Sequence, residues 1–323
     1  MIPTVRTGAT GSGIRARFAA PVVFWGALGA VSVVYIVIAL TLWAAGGIHA
    51  VDPGADTMPT VKRVLMHVVE WGQVGVFVAL LWLVVIRPLV HRQRLGFDGL
   101  FLLAAVLLNF WDPLDNYAQF AFQYNAFHLN VGSWGGYIPG WQSPQAELWV
   151  VPIAWVLSAY AWGFFLAAKS GCAVIESLEK RRPKWGWVRQ YAVVFVANAV
   201  IAAAAELVFL QIGAIVNILP YEGLTLWNSG LGAWPIYNPL LFSATWTVLT
   251  ALRRSARFDG LSFVERGVGG LTSSPKAQSA IRFLAIFAFM EVAYIGLYFV
   301  PFNLFAMMRS VPAVPLPSYF PTP

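Results

Sequence analysis

Long apolar runs alternate with short polar segments along this chain, and the runs have the length of a bilayer rather than of a soluble core helix. Seven can be read: Ala20–Ala45, Val64–Ile86, Leu100–Tyr117, Leu148–Ala168, Tyr191–Ile212, Pro235–Leu252 and Ala280–Phe302. A crossing helix needs about 20 mostly apolar residues, so each run predicts one span. The pattern predicts an all-α integral membrane protein: a bundle of seven transmembrane helices over residues 20–302, after an N-terminal segment (1–19) and before a proline-rich tail (303–323). The first run follows Arg6, Arg15 and Arg17 but is too long for a signal core, so it reads as a retained helix.

The polar segments sort by charge in strict alternation. Of the 21 lysines and arginines, eighteen fall in the N-terminus, in the segments after the second, fourth and sixth runs, and at the entry to the seventh. The other side holds Lys62, Arg63 and Arg309. By the positive-inside rule the N-terminus is cytoplasmic, the C-terminus is extracytoplasmic, and the chain is a multi-pass protein of the plasma membrane. Adding or losing one span would break the alternation.

Composition narrows the class further. Only 11% of residues are charged and mean hydropathy is +0.68, whereas a soluble domain carries about a quarter charged residues. The net charge of +7 belongs to interhelical loops, where it sets topology and meets anionic lipid, so nucleic acid is excluded as a partner. The single cysteine, Cys172, rules out a disulfide framework within the chain and reads as an inert thiol.

One outer loop, residues 117–147, contains no lysine or arginine but carries Phe120, Phe122, Tyr124, Phe127, Trp134, Tyr137 and Trp141. Such a segment either lies at the membrane interface or forms a lid over a lipophilic pocket. Its glycines, with Pro139 and Pro144, predict a folded-back loop. The tail VPAVPLPSYFPTP is too rich in proline for helix and is expected to be an extended, exposed strand.

Against this apolar background the acidic residues stand out. Glu70, Asp112, Asp115, Glu206 and Glu291 fall within or beside predicted spans. A charge in hydrocarbon costs roughly 2.5–3.5 kcal/mol on insertion scales and persists where it faces a bundle interior or a wet cavity. The predicted topology puts all five between the midplane and the outer surface. His67 and Glu70, Asp112 and Asp115, and Glu291 and Tyr294 are spaced three apart, so each pair shares a helix face. Asn109, Asp112, Asp115 and Asn116 form one stripe, which Pro113 kinks or ends. These features predict a polar cavity opening outward, lined by spans two, three, five and seven. Asp115 and Asn116 could equally cap a span at the water boundary. Glu-x-x-His recurs in carboxylate-bridged metal sites, but here the order is His-x-x-Glu and it occurs once, so no metal is assigned. His128 reads as a solvated loop histidine.

The segment NFWDPLDNYAQFAFQYNAFHLNVGSWGGYIPGWQSP, Asn109 to Pro144, resembles the AveC-like spirocyclase family of actinobacterial membrane proteins, and length and span pattern fit that family over most of the chain. The family's named member acts in macrolide biosynthesis, converting a dihydroxy-ketone into a spiroketal, and is linked to a dehydration of the same ring. The resemblance implies cyclase or dehydratase chemistry without a redox cofactor. It brings no catalytic residues with it.

The residues suit that chemistry. Spiroketal formation needs a proton donor, a base for the attacking hydroxyl and a stabilised oxocarbenium ion. Paired carboxyls in different environments do comparable work in glycosidases, and aromatic faces stabilise a passing cation. Asp112 and Glu206 are the expected acid–base pair, with Asp115, Glu70 and Glu291 positioning or tuning them. His67, Asn109, Trp111, Asn116, Tyr117, Trp134, Tyr137 and Tyr294 are expected to bind substrate. The expected partners are a lipophilic small molecule and membrane lipids, with homo-oligomerisation left open and no cofactor required. A membrane-bound terpene-type cyclase is one alternative. A lipid-handling or proton-coupled transporter, or an accessory subunit, is another, although no repeat links the two halves as in many transporters.

Overall fold

The computed structural model describes residues 20–143, 145–227, 230–308 and 315–322. The segment 1–19, with Arg6, Arg15 and Arg17, lies outside the described residues, as do Pro144 and Arg309. Among the described residues, six helices are long and apolar enough to cross a membrane: α1 Pro21–Gly46, α2 Thr60–Val90, α3 Phe97–Asn116, α4 Ile153–Arg181, α5 Trp187–Gln211 and α7 Pro275–Met307. Their outward residues are apolar and bare, including Val31, Val34 and Val37 on α1, Val61, Val68 and Trp71 on α2, and Val196, Val200 and Val208 on α5. A water-soluble surface does not carry such continuous patches; a lipid-facing one does.

The predicted sixth span is also helical, as α6 Tyr237–Ser255, but it is shorter and less apolar than the others. The cause is inward polarity. Ser243, Thr245 and Thr250 are fully buried, and their hydroxyls donate to the carbonyls of Phe195, Leu241 and Trp246 at 2.5, 3.1 and 2.9 Å. Each hydroxyl is satisfied inside the bundle, so the helix carries polar groups at little cost.

Pro113 acts as expected. The α-helical part of α3 stops at Leu108, and Asn109–Asn116 continues as a 3₁₀ helix. Both α2 and α7 contain a one-turn π segment, at Trp82–Ile86 and Ile295–Phe299. Helices α1 and α7 approach closely at Gly29, where a Cβ would lie 2.1 Å from the Leu284 carbonyl oxygen. Small residues permit such contacts in membranes. Gly29→Ala is expected to force the two helices apart and lower stability by about 2 kcal/mol, read as a drop in the unfolding temperature of detergent-solubilised protein.

At one end of the bundle, ion pairs join the helix termini among the basic loops: Arg253 to Asp98 at 2.9 Å, Arg254 to Glu179, and Arg282 to Glu265 at 2.6 Å. At the other end the loops build a cap, and here the all-α expectation is corrected. Among the described residues, six strands of two or three residues form three antiparallel pairs: β1 Phe122–Tyr124 with β4 Ile215–Asn217, β2 Asn130–Gly132 with β3 Val150–Pro152, and β5 Thr225–Leu226 with β6 Trp234–Pro235. Strand β3 replaces the predicted start of the fourth span, so α4 begins at Ile153 rather than Leu148.

The tail is corrected as well. Residues 303–307 complete α7, and residues 315–322 are neither strand nor exposed throughout. Tyr319 and Phe320 are buried. The Ala126 amide donates to the Tyr319 carbonyl at 2.8 Å, Gln123 donates to the Pro321 carbonyl at 2.7 Å, and Ser318 exchanges hydrogen bonds with Asp56. The tail is a strap across the cap.

Candidate functional site

The β1–β4 register pairs Phe122 with Asn217 and Tyr124 with Ile215. Alternate residues of a strand point the same way, so these four side chains face one side, and all four line a cavity of about 150 Å³ beneath the strands. Gln123 and Val216 point the other way into the cap, each about as buried as a residue can be. The Gln123 side chain joins four partners there, donating to Leu148 and Pro321 carbonyls and accepting from the Tyr124 and Val150 amides. This one residue fixes which side chains the roof turns toward the cavity.

Below the roof the walls come from α4 (Trp155, Tyr160, Phe164), α5 (Ala202, Glu206, Phe209), α6 (Asn238, Phe242, Trp246) and α7 (Tyr298, Phe302), with Asp112 from α3 and Gln73 from α2. The lining is mainly aromatic. All four spans expected to line the cavity, two, three, five and seven, do contribute, but spans four and six supply much of the wall, and the expectation of a polar lining is corrected. The π turn in α7 carries Tyr298, and stacking from Tyr294 through Tyr298 to Phe302, with centroids 5.1 and 5.5 Å apart, aligns three rings along that helix. Such turns recur at functional sites.

Two of the five singled-out carboxyls, Asp112 and Glu206, line this cavity. Their surroundings differ. Both Glu206 oxygens accept hydrogen bonds, Oε2 from the Trp234 indole at 3.0 Å and Oε1 from Asn238 at 2.8 Å, with Asn238 held in turn by the Tyr298 hydroxyl at 2.8 Å. Asp112 accepts at Oδ1 from the Tyr124 hydroxyl at 3.0 Å. Tyr160 lies close enough to interact with Asp112, yet among the described residues no donor reaches Oδ2 in hydrogen-bond geometry. Burial, with the Asp112 carboxyl beside it, holds the Tyr124 phenol well above its usual range, so this cap residue remains a neutral donor.

The other carboxyls sit outside the lining. Asp115, next along α3, accepts from the Tyr294 hydroxyl at 3.0 Å, and Tyr294 meets the Tyr160 hydroxyl at 2.5 Å. Glu291 accepts from the Trp111 indole at 3.1 Å, tying α7 to α3. Glu70 is completely buried between two histidines, His67 at 2.9 Å and His128 at 3.2 Å. His128 is 4% exposed, which corrects its reading as a solvated loop residue: its ring packs from the cap against Glu70 of α2. Among the described residues no group of three or more histidine, cysteine or acidic side chains is arranged to hold a metal.

The residues expected to contact substrate are spread more widely. Asn109 folds back onto the Val106 carbonyl and, with Trp134, borders a separate apolar groove of about 580 Å³. Asn116 pins the cap by accepting from the Ala121 and Phe122 amides. Tyr117 donates to the Trp141 carbonyl, Trp134 donates to the Phe110 carbonyl at 2.9 Å, and the Tyr137 ring packs at the end of α1 beside Gly46. Sequence reasoning missed Tyr160, Asn238, Tyr298 and Trp234. None stood out, because each lies in an aromatic or mixed stretch with no spacing signal.

Residues 92–323 match a protein-family model described as spirocyclase AveC-like. No curated protein and no solved structure matches the chain.

Proposed function

Because the chain belongs to the AveC-like spirocyclase family, whose membership points to a cyclase-type function in secondary metabolism, we propose that it is a cofactor-independent intramembrane cyclase and dehydratase for a lipophilic, polyketide-like substrate. The observation that carries this is the placing of two buried carboxyls, Asp112 and Glu206, on different walls of one aromatic cavity with unlike hydrogen bonding. Glu206, both oxygens already held by N–H donors, is the acceptor that takes a hydroxyl proton. Asp112, with one oxygen unengaged, is the donor.

The steps balance without a redox partner. Asp112 protonates the ketone oxygen as one substrate hydroxyl attacks the carbonyl carbon, and Glu206 takes that hydroxyl's proton to give a hemiketal. Protonation of the hemiketal hydroxyl expels it as water and leaves an oxocarbenium ion, which faces Trp155, Phe209 and Phe242 stabilise through their π faces. The second hydroxyl attacks the cation and gives up its proton to the site, so the two protons spent on oxygen are replaced by the two that the hydroxyls release. The sum is dihydroxy-ketone to spiroketal plus one water. Dehydration uses the same pair, with acid at a departing hydroxyl and base at a neighbouring C–H. A cavity near 150 Å³ is the size that elsewhere holds a benzene ring, so it takes the reacting segment of a large substrate while the remainder stays outside or in lipid.

An oxygen label tests this reading. A dihydroxy-ketone carrying ¹⁸O at the carbonyl, incubated with purified protein, is expected to yield unlabelled spiroketal and labelled water. A spiroketal that keeps the label, or no conversion of any such substrate, overturns it.

The same reading assigns α6 as a seventh span, the N-terminus to the cytoplasm and the C-terminus to the outside, in the plasma membrane. The loop charge asymmetry supports this, as do the buried hydroxyls of α6, which explain its lower hydropathy.

A further inference from the structure

Behind the cavity wall runs a chain of hydroxyl groups that starts at Tyr160, beside Asp112. Tyr160 lines the cavity. Its hydroxyl is 2.5 Å from that of Tyr294, and the Tyr294 hydroxyl is 3.0 Å from Asp115 Oδ2. All three residues are buried, Tyr294 and Asp115 almost completely. Asp115 Oδ1 has no hydrogen-bond partner among the described residues. A buried, half-engaged carboxyl is costly to keep and asks for a reason.

Geometry supplies one. A phenol carries a single proton and can both give and accept, so two phenols in series ending on a carboxyl form a chain that can be filled in either sense. In one sense Tyr160 donates to Tyr294 and Tyr294 to Asp115, leaving a Tyr160 lone pair toward the cavity. In the other sense Asp115 donates to Tyr294, Tyr294 to Tyr160, and the Tyr160 proton faces the cavity. The two fillings differ by one proton. Passing between them breaks one O–H bond at each donor and makes one at each acceptor, and both tyrosines end neutral.

We propose that Asp115, Tyr294 and Tyr160 are a proton wire that opens on the cavity at Tyr160 and carries a proton between Asp115 and an oxygen of the bound substrate. This rests on the reading of the cavity as an acid–base cyclisation site. Its use follows from the order of steps: Asp112 serves the carbonyl oxygen, the wire serves the departing hydroxyl at Tyr160 and takes back the second hydroxyl's proton to refill Asp115, and Glu206 returns the first hydroxyl's proton to Asp112 through the released water. Tyr160 touches substrate and is a catalytic residue. Tyr294 and Asp115 act through it.

The test is kinetic and uses the full-length protein in detergent or liposomes, with a dihydroxy-ketone substrate in mixtures of H₂O and D₂O. Wild type is expected to show a curved dependence of kcat on deuterium fraction, as several protons move together. Tyr294→Phe, which keeps the ring stack and removes the hydroxyl, is expected to lower kcat about a hundredfold, leave KM within a few-fold and reduce the curvature to that of the two-proton exchange at Asp112 and Glu206. Asp115→Asn is expected to do the same, and the double variant to be no worse than either single one, because the residues work as a unit. Should Tyr294→Phe not fold, Tyr160→Phe at the cavity wall gives the same readout. If Asp112→Asn loses turnover while Tyr294→Phe keeps its kcat and the full wild-type curvature, the wire is wrong and the cyclisation site stands. If wild type turns over no substrate, or Asp112→Asn and Glu206→Gln both retain full turnover, the site reading falls and takes the wire with it.

Discussion

Asp112→Asn and Glu206→Gln, made singly, are each expected to lower kcat by about 10²–10⁴-fold, the range that a positioned acid or base contributes. The amides keep shape and much of the bonding. Asparagine at 112 can still accept from Tyr124, and glutamine at 206 can still accept from Trp234 or Asn238 through its one carbonyl oxygen. What is lost is the ability to give or take a proton. Unfolding temperature measured alongside turnover separates chemistry from collapse: a variant with near-normal stability and lost kcat supports the pair. Undiminished turnover in both would end the acid–base reading. The double variant should fall little below the worse single one, since the two groups serve one reaction.

Gln123→Met is expected to be among the most destabilising changes in the cap. Methionine fills a similar volume, but it leaves the Leu148 and Pro321 carbonyls and the Tyr124 and Val150 amides without their partner. Unpaired buried groups cost about 1–3 kcal/mol each, and some will find water, so a net loss of about 4 kcal/mol is expected. Thermal unfolding followed by the fluorescence of Trp149, which packs in the cap against Phe120, would report it. Limited proteolysis should also cut the strap at 315–322 first. A variant with wild-type unfolding temperature and strap protection would show that the glutamine is dispensable. Because the same side chain sets the β1 face, Tyr124 should lose its contact with Asp112, and turnover should fall with stability.

The helices were legible because lipid imposes a length and an apolar composition that a sequence cannot disguise. Pro113 marked the end of regular α-helix in α3 for a local steric reason. Rotation about each helix axis was not legible. Lipid-facing and core-facing positions are both apolar in a membrane, so periodicity does not show which way a side chain points. Glu206 and Glu291 look alike in sequence, yet one lines the cavity and the other holds Trp111 between helices. The cap was hidden for another reason. Strands of two or three residues are too short to show alternation, and their partners are remote in sequence, as with Phe122 and Asn217. His128 was misread because loop residues are usually exposed, whereas this loop is packed.

The strap across the cap has a temporal consequence. Gln123 waits for Pro321, 198 positions later, and Asp56 waits for Ser318, 262 positions later. Contacts between such distant partners form late because the intervening loop must be ordered first. The membrane helices can insert and pair as they are made, and β1 can join β4 once Asn217 has emerged, but Gln123 completes its bonds only after residues 315–322 have been synthesised. Until then the roof over Asp112 and Glu206 lacks its tether, so this protein matures from the membrane outward, with the cap secured after the bundle beneath it.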